Sequence, residues 1–451
     1  MKIISKANES VLAILKPFSM NSECSRWSHF CVHNHISDGV LVFNSLTREL
    51  ILLNYEDYNR YLSLDYLKKH FFIVSEKTDE IEVADFVRQM LSNRQLKLDK
   101  ITNYTIFTTT DCNARCFYCF ELGNSRINMD CTTAEKVVQY IKAHCGTAKV
   151  RIGWFGGEPL LNVDAIDTIT NGLRKEGIKF VSHMVSNGYL FNDTIIKRAN
   201  ELWNLEKVQI TLDGTQEVYN KIKSYIYRDS NPFEVVLNNI AQLQETNIRV
   251  VIRLNMDLYN ADDLLILAQE LGQRFSGRKG ISVYAHHLFK NGTPDAELYS
   301  DEEWQMRNTA LERLNAALGE HGLLPTFGIS KNIRLNHCMA DSGNSVTILP
   351  DGNIGLCEHH TESEYVSHVD RTDFDDRAVA SWKVRAPRIP ECAECFYYPD
   401  CIKLEKCSSD SVCYKQFRQE KLKSIKRAML SEYESWLKKV NTNDDKFSDI
   451  C

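Results

Sequence analysis

The sequence lacks the features that mark membrane-spanning and exported proteins. It has no apolar run of about 18 residues, which excludes a membrane-spanning helix. Its first residues contain no long apolar segment that ends at a small-residue cleavage site. A basic excess is absent too: the formal net charge is −6, so few counterions would be released on binding nucleic acid. We therefore expect a cytoplasmic protein with no membrane and no nucleic-acid partner.

Cysteine is the residue type present in unusual number. The 451 residues are 25% charged and 43% hydrophobic, as in ordinary soluble proteins of two or three domains, yet 15 are cysteine. In a short exported domain this count would indicate disulfides, but in a long chain without an export signal it favours metal ligation. Five cysteines stand outside any pattern and are typical of small buried hydrophobes or surface thiols: Cys24, Cys31, Cys131, Cys145 and Cys451.

The densest cysteine motif lies in residues 110–119, which read Thr-Asp-Cys-Asn-Ala-Arg-Cys-Phe-Tyr-Cys. Cys112, Cys116 and Cys119 are separated by three and then two residues, so one loop can turn all three sulfurs toward one point. Thiolates select Fe–S clusters, zinc or Cu(I). A cubane cluster normally takes four cysteines, so three would leave one iron open. A zinc site completed by a distant His or Cys is the alternative.

This spacing, with Tyr118 just before the last cysteine, resembles the signature of the radical SAM superfamily. The resemblance implies that the amino and carboxylate groups of S-adenosylmethionine chelate the open iron of a [4Fe-4S] cluster. It also implies that one electron from the reduced cluster cleaves the sulfonium, giving methionine and a 5′-deoxyadenosyl radical that removes a substrate hydrogen. Cys112, Cys116 and Cys119 would then be both metal ligands and catalytic residues, and Tyr118 would belong to the cofactor site.

Strand and helix signals alternate over residues 101–300, which predicts a parallel sheet with right-handed crossovers. Six such units fit the partial (β/α)6 TIM-like barrel that the resemblance implies, an α/β fold with its chemistry at the C-terminal ends of the strands. One helix is predicted to begin at Thr132, with Glu135 completing a capping box. The predicted strands cover residues 104–109, 149–155, 179–185, 207–212, 249–256 and 281–286.

Candidate cofactor contacts follow the second and third of these strands. Gly156 and Gly157 would let the backbone approach a ligand closely, and Glu158 supplies a negative charge that could hold an ammonium. The matching family motif contacts the amino group of S-adenosylmethionine. Ser186 and Asn187 resemble the family's ribose and carboxylate contacts.

The fourth and fifth strands carry the other predicted cofactor-binding residues. Gln209 and Asp213 mark the fourth strand, while Arg253 and Asn255 alternate to one face near the end of the fifth. An arginine there could pair with the ligand carboxylate. The plain alternatives are that Asp213 caps a turn and that Arg253 is a solvated strand charge.

A second cysteine-rich region spans residues 338–413 and contains seven cysteines. Their order resembles the SPASM extension of radical SAM enzymes, which carries two auxiliary [4Fe-4S] clusters and would bring the total to three. By order, the resemblance assigns Cys338, Cys357 and Cys407 to the first auxiliary cluster. To the second it assigns Cys392, Cys395, Cys401 and Cys413.

The region departs from the family at one place. Five residues separate Cys401 from Cys407 where the family usually has three, so Cys407 is assigned by its order in the sequence and not by its spacing. A pair of zinc sites is the alternative for the whole region. The fourth position of the first auxiliary cluster is open to a substrate thiolate or to one of His337, Glu358, His359 and His360.

Residues 1–100 read as a separate domain. Runs 39–43 and 49–53 predict a hairpin, Asn54 an N-cap, and residues 78–96 a helix. This content resembles the winged-helix module that, in radical SAM peptide maturases, often binds the leader of a precursor peptide by strand addition at a sheet edge. A structural cap on the barrel is the alternative. The predicted order continues with the radical SAM core at 101–300, a bridging helical segment at 301–335, the SPASM domain at 336–440 with a solvated helix from 414, and a flexible tail at 441–451.

About one hundred residues precede the cluster loop, whereas sulfatase-maturing relatives usually start theirs near the N-terminus. This favours a maturase of ribosomally made precursor peptides, leader plus core, that installs an intramolecular thioether or C–C crosslink. An electron donor such as flavodoxin or ferredoxin would be a partner. One alternative is an oxidase of a protein Cys or Ser of the sulfatase-maturing kind. Another is a non-catalytic Fe–S or zinc scaffold that binds peptide.

Overall fold

The structure is a computed structural model. His360, one of the alternative cluster ligands, lies outside the residues it describes, as do Cys24 and Cys451. For residues 94–95 and 441–448 only the backbone is described. Within the described part of the chain, no helix has the length and apolarity to cross a bilayer. The described residues are 1–18, 25–95, 100–123, 125–227, 230–288, 299–325, 328–359, 364–407, 413 and 415–448.

The described chain forms fifteen strands and thirteen α-helices. The strands are β1 Lys2–Ser5, β2 Ser25–Trp27, β3 Cys31–Ile36, β4 Gly39–Asn44, β5 Glu49–Leu53, β6 Ile73–Ser75, β7 Asn103–Thr109, β8 Val150–Gly156, β9 Phe180–Ser186, β10 Leu205–Thr211, β11 Arg249–Met256, β12 Ile281–His287, β13 Ser345–Ile348, β14 Asn353–Gly355 and β15 Ser367–His368. The helices are α1 Glu9–Leu15, α2 Tyr55–Asn59, α3 Asp65–Lys69, α4 Glu80–Gln95, α5 Cys131–Cys145, α6 Val163–Lys175, α7 Asp193–Glu201, α8 Gln216–Lys223, α9 Pro232–Leu243, α10 Ala261–Phe275, α11 Asp301–Glu320, α12 Asp376–Ser381 and α13 Lys415–Ser448.

The chain forms two compact units that interleave in sequence. The barrel unit contains residues 99–325 and 338–384, and the other unit contains residues 1–98, 326–337 and 385–451. This division differs from the linear order of domains predicted above. The predicted SPASM segment is shared between the two units, and its second half groups with the N-terminal residues.

One sheet organises the barrel unit, with the strand order β12-β11-β10-β9-β8-β7-β13-β14-β15. Strands β7 to β12 pair in parallel, and each predicted strand is found within two residues of its expected bounds. The fully buried side chains of Trp154, Ile210 and Ile252 belong to the apolar core of this unit. The partial (β/α)6 barrel is therefore confirmed.

Three short strands from the predicted SPASM segment extend this sheet. β13 pairs in parallel with β7, with Val346 opposite Tyr104, and β14 and β15 continue in antiparallel order. β13 thereby satisfies the backbone groups of β7 that an edge strand would leave unpaired. This pairing explains why residues 338–384 group with the barrel.

Helix α5 begins earlier than expected. Its N-cap is Asp130, whose carboxylate accepts the N–H of Thr133 at 2.7 Å. The predicted start at Thr132, with Glu135 in a capping box, is therefore wrong. An aspartate two residues upstream already satisfies a first-turn donor.

The N-terminal part of the other unit is built on an antiparallel sheet of order β1-β5-β4-β3. The predicted hairpin is confirmed as β4 and β5, and Asn54 caps α2 by accepting the N–H of Asp57 at 2.7 Å. One face of the sheet packs Phe43 and Leu50 against Met429 of α13. This helix was expected to be a solvated one that frays after residue 440. It has a buried face instead, and its backbone stays helical to Ser448.

Candidate active site

The cluster loop leaves the end of β7 and rests on the end of β8. The N–H of Gly157 donates to the carbonyl oxygen of Thr109 at 3.1 Å, and the N–H of Glu158 donates to that of Asp111 at 2.8 Å. A Cβ on Gly156 would lie 2.2 Å from the Thr109 oxygen, and one on Gly157 would lie 2.1 Å from the Asp111 oxygen. The two glycines were expected to make room for a ligand. They also let the loop's own backbone approach β8.

The three thiols of the loop lie close enough to act on one another. Burial first, then the charge of Glu158, and then Cys116 and Cys119 raise the pKa of Cys112 to about 12. Burial also raises the pKa of Cys119. Thiols in such surroundings ionise when a nearby cation compensates them, and a cluster iron would do so. The donor set therefore fits an Fe–S cluster.

A single-ion site is a separate question. Among the described residues, no three His, Cys, Asp or Glu side chains are grouped so as to hold one metal ion. A cubane presents a separate iron to each thiolate, so its ligands need not converge on a single point.

Glu158, Ser186 and Asn187 come together beside Cys112. The Glu158 side chain is fully buried. It accepts the Ser186 hydroxyl at 2.9 Å, the backbone N–H of Asn187 at 2.8 Å and that of Leu160 at 3.2 Å. The Asn187 amide nitrogen lies 3.8 Å from the Cys112 sulfur. Burial raises the pKa of Glu158 to about 7, although these hydrogen bonds act in the opposite direction. The donors that reach this carboxylate are neutral.

Asp213, Asn255 and Tyr118 form a second group. The Tyr118 hydroxyl donates to one Asp213 oxygen at 2.6 Å, and the Asn255 amide donates to the other at 3.0 Å. Lys223 completes the group with its ammonium 3.0 Å from Asp213. Both charged side chains are buried. Asp213 therefore does more than cap a turn, because it holds an internal cation.

Arg253 and Gln209 extend this second group along β10, β11 and β12. The Arg253 Nε donates to the Asn255 side-chain oxygen at 2.8 Å. The Gln209 side-chain oxygen accepts the hydroxyl of Tyr284 at 3.0 Å. Arg253 is half-buried within this network, so it is not a freely solvated strand charge.

Sequence reasoning missed Lys223 and Tyr284. Lys223 stands two positions after Lys221 near the end of an amphipathic helix, where a lysine pattern indicates a solvated face. Tyr284 is one aromatic residue in a predicted strand. Neither carries a signal that spacing could have revealed.

A cavity of about 160 Å³ in the other unit is lined by Cys392, Cys395, Cys401 and Cys413. These are the four cysteines assigned by order to the second auxiliary cluster. Five cationic side chains line the same cavity: Arg88, Arg385, Arg388, Lys403 and Arg418. Since thiolate-bound clusters are anionic, both the donors and the surrounding charge fit such a group.

Helix α4 of the N-terminal residues forms part of this cavity wall. Arg88 is almost fully buried and donates to the carbonyl oxygens of Cys401 at 3.0 Å and Tyr398 at 3.3 Å. Asp85, one turn earlier, accepts from Arg88 at 2.6 Å, from Arg388 and from the Tyr398 hydroxyl. The N-terminal residues therefore help to hold the cysteine loop.

The residues assigned to the first auxiliary cluster are divided between the units. Cys338 and Cys357 belong to the barrel unit and Cys407 to the other. His337 is buried and its Nδ1 lies 2.7 Å from the carbonyl oxygen of Ile402, the geometry of an N–H donated to the backbone. The ring of His359 lies 4.7 Å from that of Phe120, which places His359 beside the end of the cluster loop.

Replacing Gly157 should displace the cluster loop from the end of β8. In Gly157→Ala the new Cβ meets backbone at 2.1 Å, so we expect the loss of about four irons per chain, those of one cubane. The measurement is iron content after anaerobic reconstitution. Gly319→Ala is the matched control, since its Cβ meets only a side chain at 3.5 Å. A Gly157→Ala protein with wild-type iron content would contradict the prediction.

Comparison with known proteins supports the loop assignment. Residues 106–271 match the family model of the radical SAM superfamily. The chain is 26% identical over 180 residues to the probable GTP 3′,8-cyclase of Methanocaldococcus jannaschii, a match that covers 38% of this chain and 57% of that protein. The chain thus spans little more than half the length of that relative.

Two solved structures share the fold. Streptococcus suis SuiB bound to S-adenosylmethionine has a TM-score of 0.50 at 12% identity, covering 86% of this chain and 100% of SuiB. Native anSMEcpe with bound AdoMet and Cp18Cys peptide has a TM-score of 0.53 at 14% identity, covering 75% of this chain and 99% of that one. The resemblance drawn from Cys112, Cys116 and Cys119 is confirmed: residues 106–271 form a radical SAM domain, the domain of an enzyme superfamily that acts by reductive cleavage of S-adenosylmethionine.

Proposed function

We propose that this protein is a radical SAM enzyme that modifies a ribosomally made precursor peptide and installs an intramolecular thioether or C–C crosslink. When bound, S-adenosylmethionine and the cluster would supply a 5′-deoxyadenosyl radical able to take hydrogen from unactivated carbon. The observation that carries the cofactor part of the proposal is the buried carboxylate of Glu158, whose hydrogen-bond donors are all neutral. The peptide part rests on the sheet edge that β3 presents.

The two buried carboxylates differ in a way that assigns their roles. Asp213 has an internal counter-ion, Lys223, at 3.0 Å, whereas the donors to Glu158 are a hydroxyl and two amide N–H groups. Because a buried charge is stable only when it is paired, Glu158 is the carboxylate suited to bind the ammonium of S-adenosylmethionine. Asp213 is suited to hold Tyr118 in place.

The other predicted contacts divide in the same way. Ser186 and Asn187 orient Glu158, and Asn187 lies next to Cys112, so the two residues would place the cofactor against the loop. Arg253, whose Nε donates to Asn255, would pair with the cofactor carboxylate through its guanidinium. Asn255 would fix the orientation of Arg253, and Gln209 would fix that of Tyr284.

The first test is anaerobic incubation of cluster-loaded protein with dithionite and S-adenosylmethionine. We expect 5′-deoxyadenosine from the wild type and none from Cys116→Ala, because that variant loses one of the three ligands of the loop cluster. Cys131→Ala is the matched control, since Cys131 is exposed at the start of α5. Absence of 5′-deoxyadenosine from the loaded wild type would favour the non-catalytic peptide-binding scaffold.

We further propose two auxiliary clusters, one held by Cys392, Cys395, Cys401 and Cys413 and the other by Cys338, Cys357 and Cys407. The first of these ligand sets is supported by a shared cavity. The second rests on the order of cysteines alone. These clusters could accept the leftover electron or bind a substrate sulfur, and a flavodoxin or ferredoxin would reduce the catalytic cluster.

Iron content tests the number of clusters. We expect about twelve irons per wild-type chain, four for each cubane, and about eight per chain in Cys395→Ala. Cys145→Ala is the control, because it removes a cysteine that is buried in the barrel unit and assigned to no cluster. Arg88→Met should lose part of the same iron as Cys395→Ala, because Arg88 holds the Cys401 loop. A wild-type value near four would overturn both auxiliary assignments.

Leader recognition is proposed for the antiparallel sheet of residues 1–98. Among the described residues, β3 pairs only with β4 and so presents a sheet edge to which an extended peptide could add. His35 on this strand is exposed and stacks on Tyr55 at 6.1 Å. Deleting residues 1–95 would also remove Asp85 and Arg88 from the cysteine cavity, so point substitutions are the sharper probe.

We expect His35→Ala combined with Tyr55→Ala to weaken binding of a leader peptide by about tenfold, the loss of one aromatic contact pair or somewhat more. The leader would come from a short reading frame beside this one, and its affinity would be measured by fluorescence anisotropy. Iron content should stay unchanged, which separates recognition from folding. Wild-type affinity in the double variant would discard leader binding at this edge.

A sulfatase-maturing type of oxidase is the second candidate, favoured by the shared fold with anSMEcpe, whose structure contains a Cys peptide. Formation of an aldehyde on a Cys or Ser peptide would support it, whereas a crosslinked product would support the maturase. GTP belongs in the same assay as a third substrate, since the curated relative is a probable GTP 3′,8-cyclase.

A further inference from the structure

The chain that ends α8 holds the catalytic cluster loop by its backbone at two points. The carbonyl oxygen of Lys223 accepts the N–H of Arg115 at 2.7 Å, and the N–H of Ile226 donates to the carbonyl oxygen of Asn113 at 3.0 Å. Both loop residues lie between Cys112 and Cys116. Ser224 makes the turn possible, with a φ of 44°, a left-handed conformation uncommon for residues other than glycine.

The Lys223 side chain holds the loop at a third point. Its ammonium donates to the Tyr118 hydroxyl at 3.0 Å, and Tyr118 lies between Cys116 and Cys119. The same ammonium donates to the Thr211 hydroxyl at 2.6 Å and pairs with Asp213 at 3.0 Å. An ammonium has three N–H donors, and all three are thus directed at fixed acceptors. One lysine therefore ties both intervals between the cluster ligands to the end of β10.

Lys223 also places a fixed charge near the loop. Burial alone would lower its pKa, but Asp213, Cys116, Tyr118 and Tyr219 raise the pKa of Lys223 well above its usual value. The side chain is 2% exposed, so water screens its charge little. Net charge and hydrogen bonds around a cluster set its reduction potential, and a nearby cation favours the reduced, more anionic state.

We propose that Lys223 is a positioning residue for the cluster loop. Its ammonium tethers Tyr118 to β10, and its charge beside Cys116 favours reduction of the bound cluster. The inference rests on the proposed cluster at Cys112, Cys116 and Cys119 but not on the identity of the peptide substrate.

Two measurements on anaerobically reconstituted full-length protein separate the tether from the charge. The first is the midpoint potential of the loop cluster, taken by redox titration of the electron-spin-resonance signal that S-adenosylmethionine perturbs. The second is the rate at which an iron chelator removes that signal. The variants are Lys223→Arg, Lys223→Met and Lys223→Met with Asp213→Asn, and Lys221→Met is the control because Lys221 is exposed on the same helix.

Lys223→Met leaves Asp213 unpaired, so the midpoint potential of the loop cluster in this variant should be more negative than in the wild type. Adding Asp213→Asn removes that leftover charge and should move the potential back toward the wild type. Iron loss should be faster in both variants because both lack the bond to Tyr118. We expect a factor of about ten to a hundred, by analogy with the loss of metal affinity when a supporting group of a metal site is removed. Lys223→Arg should keep the wild-type potential, and Lys221→Met should match the wild type in both measurements.

Unchanged potential and unchanged iron loss in Lys223→Met would overturn the inference. If Lys223→Met retains no loop cluster, the test is made on the double variant, because the double variant contains no unpaired buried charge. A wild-type rate of iron loss in the double variant would show that Lys223 does not tether the loop. A wild-type protein with no S-adenosylmethionine-sensitive cluster would overturn the proposed function itself. This outcome differs from a wild type that holds the cluster while its Lys223 variants show the same potential and the same iron loss, which would overturn only the role of Lys223.

Discussion

The site depends on a backbone-to-backbone contact between the cluster loop and the end of β8. Thr109 and Asp111 present carbonyl oxygens to the N–H groups of Gly157 and Glu158, and the contact is so close that a side chain at either Gly156 or Gly157 would collide with it. Two consequences follow from one geometry. The loop that carries three thiols is fixed to the sheet, and Glu158 is carried to the same place. In a parallel sheet this is the edge where residues from successive strands converge.

Burial then divides the charged residues of the barrel into two kinds. The pair of Asp213 and Lys223 is internally compensated and hydrogen-bonded by Tyr118 and Thr211. Removing one member of such a pair typically costs about 3–5 kcal/mol, which suits a structural part. Glu158 is held by neutral donors, and burial raises its pKa to about 7. A cationic ligand group would lower that pKa and be bound by the same interaction, so this carboxylate suits a binding role.

Much of this could be predicted because it depends on local pattern. The strand bounds came from apolar runs, and the placing of Cys112, Glu158 and Ser186 after successive strands followed from parallel topology. What escaped prediction depends on distant partners. The sequence indicates that Lys223 is a solvated helix residue, whereas in the structure it pairs with Asp213. β13 is too short for its sequence to predict pairing with β7. Helix α13 shows no strong apolar stripe, although Met429 is buried.

The cysteine cavity shows why the N-terminal residues and the C-terminal cysteines share one unit. Residues 392–407, which carry three of the four cysteines, form no α-helix or β-strand, so their backbone carbonyl oxygens need other hydrogen-bond donors. Arg88 provides one, since it donates to the carbonyl oxygens of Cys401 and Tyr398 from a helix more than 300 residues earlier in the chain. Asp85 holds Arg88 and Arg388 together and thereby offsets part of the cationic charge around the cavity. An N-terminal segment with these contacts cannot be only a detachable recognition module, because the cavity is incomplete without it. Recognition of a peptide at β3 and support of the cysteines by α4 would then be two functions of one folded unit.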